Sequence, residues 1–237
     1  SNGEFRLKLL KILLSLSNVS ENRNRISSRT DLKLIESVVA YLGNETEEEQ
    51  KLDLSIITNL SLSEGGKIKL GDRDVQLFEK MEIILDAQNN EEFTIQALVI
   101  LHNLSQHTLN QGKLGKFQKL LQYLTAFSVS SIHDIKEISL KTLHNCSLHS
   151  DNEVYLCSEG LGLIEALVTI LSDPSSPADT RLKTLGILWN LSTNEGNRAR
   201  LGGAAAGGTQ LTSSRRWQCM RASQAKAAAS MRLGSRS

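Results

Sequence analysis

The stretch that decides the fold is Leu188–Leu201, which reads LWNLSTNEGNRARL. Its centre is the triplet Asn190-Leu191-Ser192, and an apolar residue, Leu201, follows eleven residues after the asparagine. A similar triplet with an apolar residue at the same distance occurs four more times. The five centres and their apolar followers are Ser15 with Ile26, Asn59 with Leu70, Asn103 with Leu114, Asn145 with Leu156, and Asn190 with Leu201. Successive centres are 44, 44, 42 and 45 residues apart, a period typical of helical solenoids.

Apolar residues also stand at fixed distances before and after each centre. Five residues before it are Leu10, Leu54, Leu98, Leu140 and Leu185, and two before it are Leu13, Ile57, Leu101, Leu143 and Leu188. One residue after it are Leu16, Leu60, Leu104, Cys146 and Leu191. Residues three or four apart share one face of an α-helix. Each triplet is therefore predicted to end a helix with one buried face, and the asparagine lies beside that face.

The helix end LxxLxNLS, the leucine eleven residues later and the period of 42 to 45 residues together resemble the armadillo repeat family. HEAT and TPR arrays lack this triplet at this place. The resemblance implies an all-α fold, a right-handed α-α superhelix with three helices per unit, whose third helices line a concave groove that binds peptides. We expect about four full units after a leading partial unit, and we expect the chain to be a fragment of a longer array.

Several local signals predict where helices begin. Thr46 and Glu49 have the spacing of a capping box, in which each side chain bonds the other's backbone N–H. Asn89 with Glu92 is predicted to cap the third helix that runs to Ser105. Pro177 is predicted to occupy the first helical position of the last third helix, because a proline lacks the N–H that would be unsatisfied there.

Charge divides the chain into two predicted regions. Residues 1–201 form the repeat array, with 21 basic and 26 acidic residues, whereas residues 202–237 carry six Lys or Arg and no acid. We expect residues 202–237 to be a disordered or non-native basic tail, because the repeat pattern stops abruptly at GGAAAGG and a low-complexity stretch rich in Ala, Ser and Arg follows. Arg215, Arg216 and Trp217 could contact nucleic acid or an anionic membrane. Six charges over this length are sparse, so nucleic acid is an unlikely partner.

Cysteine usage and hydropathy indicate the compartment. Cys146, Cys157 and Cys219 are an odd number without close spacing, which argues against a disulfide framework. A reducing compartment fits this pattern, so we expect the protein in the cytoplasm, with the nucleus as a second candidate location. No apolar run approaches the roughly 18 residues of a membrane span.

The asparagines Asn59, Asn103, Asn145 and Asn190 are the leading candidates for a binding role. The resemblance implies that each bonds the backbone of an extended peptide, and a carboxamide has both the donor and the acceptor that one peptide unit needs. The alternative is that each asparagine braces its own helix end.

The residues around the asparagines are candidates for specificity. Directly before them stand Thr58, His102, His144 and Trp189, which either face a ligand or pack between neighbouring third helices. Trp189 is the strongest candidate anchor, since aromatic residues are common among binding hot spots. Four residues before the centres stand Lys11, Ser55, Val99, Lys141 and Gly186. Nuclear-import adaptors of similar fold carry tryptophan there, so basic localisation peptides are disfavoured, and Lys11 and Lys141 hint at an acidic ligand.

Enzymatic and metal-binding functions find little support in the sequence. His102 with His107 and His144 with His149 are five residues apart, which turns the rings away from each other on a helix, and no cysteine pair completes a site. There is no phosphate loop. We therefore expect no metal, no cofactor and no catalysis. The leading hypothesis is a scaffold that binds an extended segment of another protein. The alternatives are a transport adaptor for nuclear or ciliary cargo and a structural spacer within a larger protein.

Overall fold

The computed structural model describes residues 2–29, 33–43, 46–87 and 90–206, and these form α-helices and two 3₁₀ turns without any strand. The helices are α1 Asn2–Ser17, α2 Ser20–Ser28, α3 Leu34–Tyr41, α4 Glu47–Leu60, α5 Glu64–Leu70, α6 Leu77–Ala87, α7 Glu91–Ser105, α8 Thr108–Leu114, α9 Gln118–Phe127, α10 His133–Cys146, α11 Ser150–Leu156, α12 Leu163–Ser172, α13 Ala178–Leu191 and α14 Glu195–Ala206. The 3₁₀ turns are Arg73–Val75 and Glu159–Leu161.

The helices group into units of three, as the repeat predicts. The full units are α2–α4, α5–α7, α8–α10 and α11–α13, while α1 is the third helix of a partial unit and α14 follows the last full one. Each third helix packs against the next, in the order α1, α4, α7, α10 and α13. The architecture is the predicted right-handed α-α superhelix, and the third helices stand side by side along one face.

The apolar positions that the repeat predicts form the core of the array. Leu54, Leu98 and Leu140, each five residues before a centre, are fully buried, and so are Leu60, Leu104 and Cys146 one residue after it. The buried residues form one continuous cluster through successive units. Burying one such leucine contributes about 1.5–3 kcal/mol, so stacking of units is the main source of stability.

Two of the three predicted helix starts differ from the prediction. Thr46 and Glu49 form the capping box, with the Thr46 Oγ1 accepting from the Glu49 N–H. At α7 the cap is Asn90, whose Oδ1 accepts from the N–H groups of Glu92 and Phe93; Asn89 lies outside the described residues. Pro177 is extended, with ψ 150°, and precedes the helix at the cap position rather than beginning it.

The C-terminal end of the described structure is α14. This helix continues past Leu201 to Ala206, so helical backbone extends beyond the predicted end of the array. Residues 207–237 lie outside the described residues, and the basic tail stays a prediction. No helix in the described ranges is long and apolar enough to cross a membrane.

Candidate functional site

The candidate asparagines form a row along the third helices, and each is hydrogen-bonded to the unit before it. In every case the Nδ2 group donates to the Oγ of the serine in the preceding triplet. The pairs are Asn59 to Ser17 at 3.0 Å, Asn103 to Ser61 at 2.9 Å, Asn145 to Ser105 at 2.9 Å, and Asn190 to Ser147 at 2.9 Å. The triplet therefore joins neighbouring units, and its asparagine braces the adjacent helix end rather than its own.

Each serine of the triplet is held in place by its own helix. Its Oγ donates to the carbonyl three residues earlier, at 2.7 to 2.9 Å, and this leaves the oxygen lone pairs free to accept from the next unit. The asparagine side chain consequently has one orientation, set by a partner that is itself oriented. This explains why both polar residues of the triplet recur together.

Part of each carboxamide is left available after this bond. The Oδ1 atoms of Asn59, Asn103 and Asn190 have no hydrogen-bond partner among the described residues, whereas Asn145 also bonds the His144 ring. Asn103 is buried and the other three are half-buried. The row thus presents acceptor oxygens at the spacing of the units.

The two histidines before the asparagines pack between third helices and also face a cleft. A Cβ added to Gly186 on α13 would lie 2.9 Å from the His144 Cδ2, so this ring lies directly against α13. Burial lowers the pKa of His102, and the nearby Lys141 and Lys67 lower it further. Burial also lowers the pKa of His144, opposed by its bond to Asn145. Both rings are therefore neutral at neutral pH.

The cleft lies between α10 and α13 and has a volume of about 340 Å³. It is lined by His102, Lys141, His144, Asn145, Leu182, Lys183 and Gly186. Four of the predicted site residues therefore come together here, while Asn59, Asn103 and Asn190 occupy other places along the row. Trp189 is half-buried and lies outside the lining of the cleft.

A carboxylate at the edge of the cleft is already paired. Glu137 accepts from Lys183 at 2.9 Å and from the Thr180 Oγ1 at 2.6 Å. Burial opposes ionisation of Glu137, but these two hydrogen bonds and the lysine charge outweigh it, and its pKa is lowered. Lys183 and Glu137 thus neutralise each other. Lys11 was a candidate cation for an acidic ligand, as Lys141 was. In the structure its ammonium group pairs with Glu48 at 2.9 Å.

Sequence reasoning missed a second row of asparagines, seven residues after the triplet asparagines. Each donates to two carbonyls of the preceding unit, one on its first helix and one at the end of its third helix. The bonds are Asn110 to Lys67 and Leu104, Asn152 to Gln111 and Cys146, and Asn197 to Glu153 and Leu191. The recurrence of asparagine at this one spacing was the signal that could have found them.

Two further histidines, His107 and His149, have a structural role. The Nδ1 of His107 accepts from the Leu109 N–H at the start of α8, and that of His149 accepts from the Asp151 N–H at the start of α11. Because these rings cap first helices, they do not meet His102 and His144 at a common point. In the ranges that the structure covers, no group of three His, Cys, Asp or Glu residues has the arrangement of a metal site.

Comparison with known proteins agrees with this architecture. A designed armadillo repeat protein superposes with a TM-score of 0.70 at 17% identity, covering 88% of this chain and 86% of its own. Computationally designed armadillo repeat proteins for modular peptide recognition match with a TM-score of 0.69 at 18% identity, and the match covers 83% of this chain and 80% of the other. A designed armadillo repeat protein in complex with the peptide (KR)4 matches with a TM-score of 0.68 at 17% identity, and the match covers 90% of this chain and 87% of the other.

Sequence comparison identifies the family. No curated protein sequence matches the chain significantly. The family model described as armadillo-like matches residues 73–209, which is more than half of the sequence. Together with the helix triplets and the stacked third helices, this match means that the chain belongs to the armadillo-like family.

Proposed function

We propose that the protein is a non-enzymatic scaffold that binds an extended segment of another protein along its third helices. The observation that carries this proposal is the row of asparagines whose Nδ2 groups are anchored to serines of the preceding unit. An extended segment exposes backbone N–H groups that need acceptors. The free Oδ1 atoms of Asn59, Asn103 and Asn190 are such acceptors.

The anchoring favours binding because the acceptors are already oriented. A side chain that must be immobilised on binding costs about 0.5–1.5 kcal/mol. Here the bond to serine has already restricted each carboxamide before a ligand arrives. Fold neighbours add support, since two of the matched structures are described as made for peptide recognition or contain a bound peptide.

Specificity would come from the variable side chains beside the asparagines. His102 and His144 offer neutral rings, Lys141 a positive charge, and Trp189 an aromatic surface. We also propose a cytoplasmic location, with the nucleus as a second candidate. The free, buried thiols of Cys146 and Cys157 are compatible with a reducing compartment.

Selection from a library of random 12-residue peptides would test the proposal. The blocked variant carries Ser55→Arg and Val99→Arg, which fill two half-buried third-helix positions four residues before Asn59 and Asn103 and leave the asparagine–serine bonds untouched. The matched control is Ile83→Arg, at an exposed position on the second helix α6. We expect the wild type and the control to enrich the same peptides and the blocked variant to enrich none.

Circular dichroism establishes first that each variant remains helical. If the wild type enriches no peptide, or if the folded blocked variant binds the same peptides equally well, the groove is not the binding site. The chain would then act as a spacer or bind through another surface.

A further inference from the structure

Lys141 has no ion-pair partner among the described residues, whereas several other lysines on the third helices do. Lys11 pairs with Glu48 at 2.9 Å, Lys51 with Glu92 at 2.7 Å, and Lys183 with Glu137 at 2.9 Å. Lys141 is exposed and makes no ion pair or hydrogen bond with any described residue. Lys141 is one of the residues that line the cleft between α10 and α13.

The absence of a side chain at Gly186 shapes one wall of this cleft. Lys141 on α10 and Gly186 on α13 both stand four residues before their asparagines. Because Gly186 has no Cβ, the His144 ring can approach the α13 backbone, and a Cβ there would meet it at 2.9 to 3.0 Å. The His144 ring therefore occupies the place of the missing side chain, and Lys141 stands at the equivalent position of the adjacent unit.

The charges around the cleft sum to an unsatisfied positive charge. Glu137 is already bonded to Lys183 and Thr180. His102 and His144 are neutral, as argued above, so neither ring adds a charge to the cleft. Asn145 uses one Nδ2 proton on Ser105, and its other N–H is not bonded to any described residue. Leu182, at the rim, is 63% exposed and offers an apolar surface.

We propose that this cleft is a subsite for one carboxylate side chain, an aspartate or glutamate, of the bound segment, with the Lys141 Nζ as its ion-pair partner. The inference rests on the proposed function, since it assumes a segment lying along the third helices. One lysine without an arginine suits a singly charged carboxylate, whereas phosphate is bound bidentately by arginine. Leu182 contacts an apolar residue beside the acidic one. The designed protein solved with (KR)4 holds a basic peptide, so the charge preference here is opposite.

The first experiment selects random internal 12-residue peptides, flanked by Gly-Ser linkers, on three full-length proteins. These are the wild type, Lys141→Gln, and the matched control Lys11→Gln, which removes a lysine at the same repeat position that Glu48 already neutralises. The wild type and Lys11→Gln are expected to enrich an acidic residue at one fixed position next to an apolar residue. Lys141→Gln is expected to select peptides without that acidic residue.

The second experiment measures the coupling between the two charges. A selected peptide and its Glu→Gln (or Asp→Asn) version are titrated by fluorescence anisotropy into the wild type and Lys141→Gln. Neutralising the peptide is expected to weaken binding to the wild type about threefold to tenfold, in line with a partly exposed ion pair. It should leave binding to Lys141→Gln unchanged. The difference should shrink as salt rises from about 0.05 to 0.5 M, because ions screen it.

The outcomes separate this inference from the function beneath it. If peptides are enriched without an acidic position, or if Lys141→Gln keeps that position, the subsite is overturned and the groove remains a binding site. A phosphoserine replacement that binds the wild type more than tenfold tighter than glutamate overturns the carboxylate assignment. If no peptide is enriched on any of the three proteins, the proposed function itself fails.

Discussion

The third helices α1 and α7 carry the same repeat pattern, yet one apolar face is exposed and the other is buried. The face consists of the residues ten, six and three before the centre and one after it. In α1 these are 44–67% exposed: Phe5, Leu9, Ile12 and Leu16. In α7 they are at most 6% exposed: Phe93, Ala97, Ile100 and Leu104.

The neighbours of the two helices explain this difference. Helix α7 packs against α4 on one side, α10 on the other, and the α5 and α6 helices of its own unit. Helix α1 packs mainly against α4 and α2, and no described helix corresponds to the preceding unit or to the first two helices of its own. Burial is therefore a property of the stack, since each unit covers its apolar face only with its neighbours.

The largest difference in stability should come from shortening the isoleucine that stands three residues before the centre in each of the two helices. Ile100→Ala in α7 is expected to lower the free energy of unfolding by about 2–5 kcal/mol, since it leaves a cavity in a packed core. Ile12→Ala in α1 should change it by about 0.5 kcal/mol or less, because its side chain is largely in water. Urea unfolding followed by circular dichroism measures both. Equal losses would mean that the α1 face is covered in solution.

A smaller effect is expected from asparagines at matching positions of first helices. Asn110 is buried and bonds the carbonyls of Lys67 and Leu104. Asn110→Ala removes these two hydrogen bonds, although each carbonyl keeps a backbone N–H donor, and should cost about 1–3 kcal/mol. Asn22 has the same place in α2, is half-buried, and makes no side-chain hydrogen bond within the described residues. Asn22→Ala should cost less than about 1 kcal/mol.

Hydrogen exchange locates the effect of the asparagine variants. Amide protons of α7 and α8 should exchange faster in Asn110→Ala, while those of α1 and α2 should be unchanged in Asn22→Ala. A loss in Asn22→Ala as large as that in Asn110→Ala would show that the leading unit is stabilised by the same bonds.

The smallest effect is a dependence of stability on pH, which the two units that contain His102 and His144 have and the leading partial unit lacks. His102 and His144 have a lowered pKa when folded, whereas the leading unit has Leu14 at this position. The unfolded chain therefore binds protons near pH 6.5 that the folded chain does not. Stability should fall as pH drops below about 6.5 and level off below the folded pKa.

The variant that checks this dependence is His144→Gln, compared with wild type by urea unfolding at several pH values between 7.5 and 5. It should reduce the slope of stability against pH without abolishing it, because His102 still titrates. A slope identical to that of the wild type would show that the His144 ring is already accessible to protons in the folded state.

Much of the array was predictable because its signals are local. The leucines at fixed distances from each centre mark helix faces, and the Thr46–Glu49 box forms between residues three apart. The asparagine row was likewise placed correctly on the third helices. Partners far along the chain were not predictable: each triplet asparagine bonds a serine 40 to 43 residues earlier. Reasoning within one helix offered only a ligand or the asparagine's own helix end as its partner.

The charged residues illustrate the same limit. Lys11 and Lys141 have identical positions in the repeat, and the sequence treated them alike. Glu48 on the next third helix neutralises Lys11, while Lys141 lines the cleft and pairs with no described acidic residue. Which lysine can meet a ligand is therefore decided across the helix interface.

The amino-acid order alone determined the number of units, the type of helix and the face that each helix buries, because periodicity and capping act over a few residues. The stacking of units decided which of those faces are covered, which asparagine atoms stay free and which lysine is unpaired. These properties depend on atoms brought together from about one repeat away, and only the packed superhelix places them within hydrogen-bonding distance.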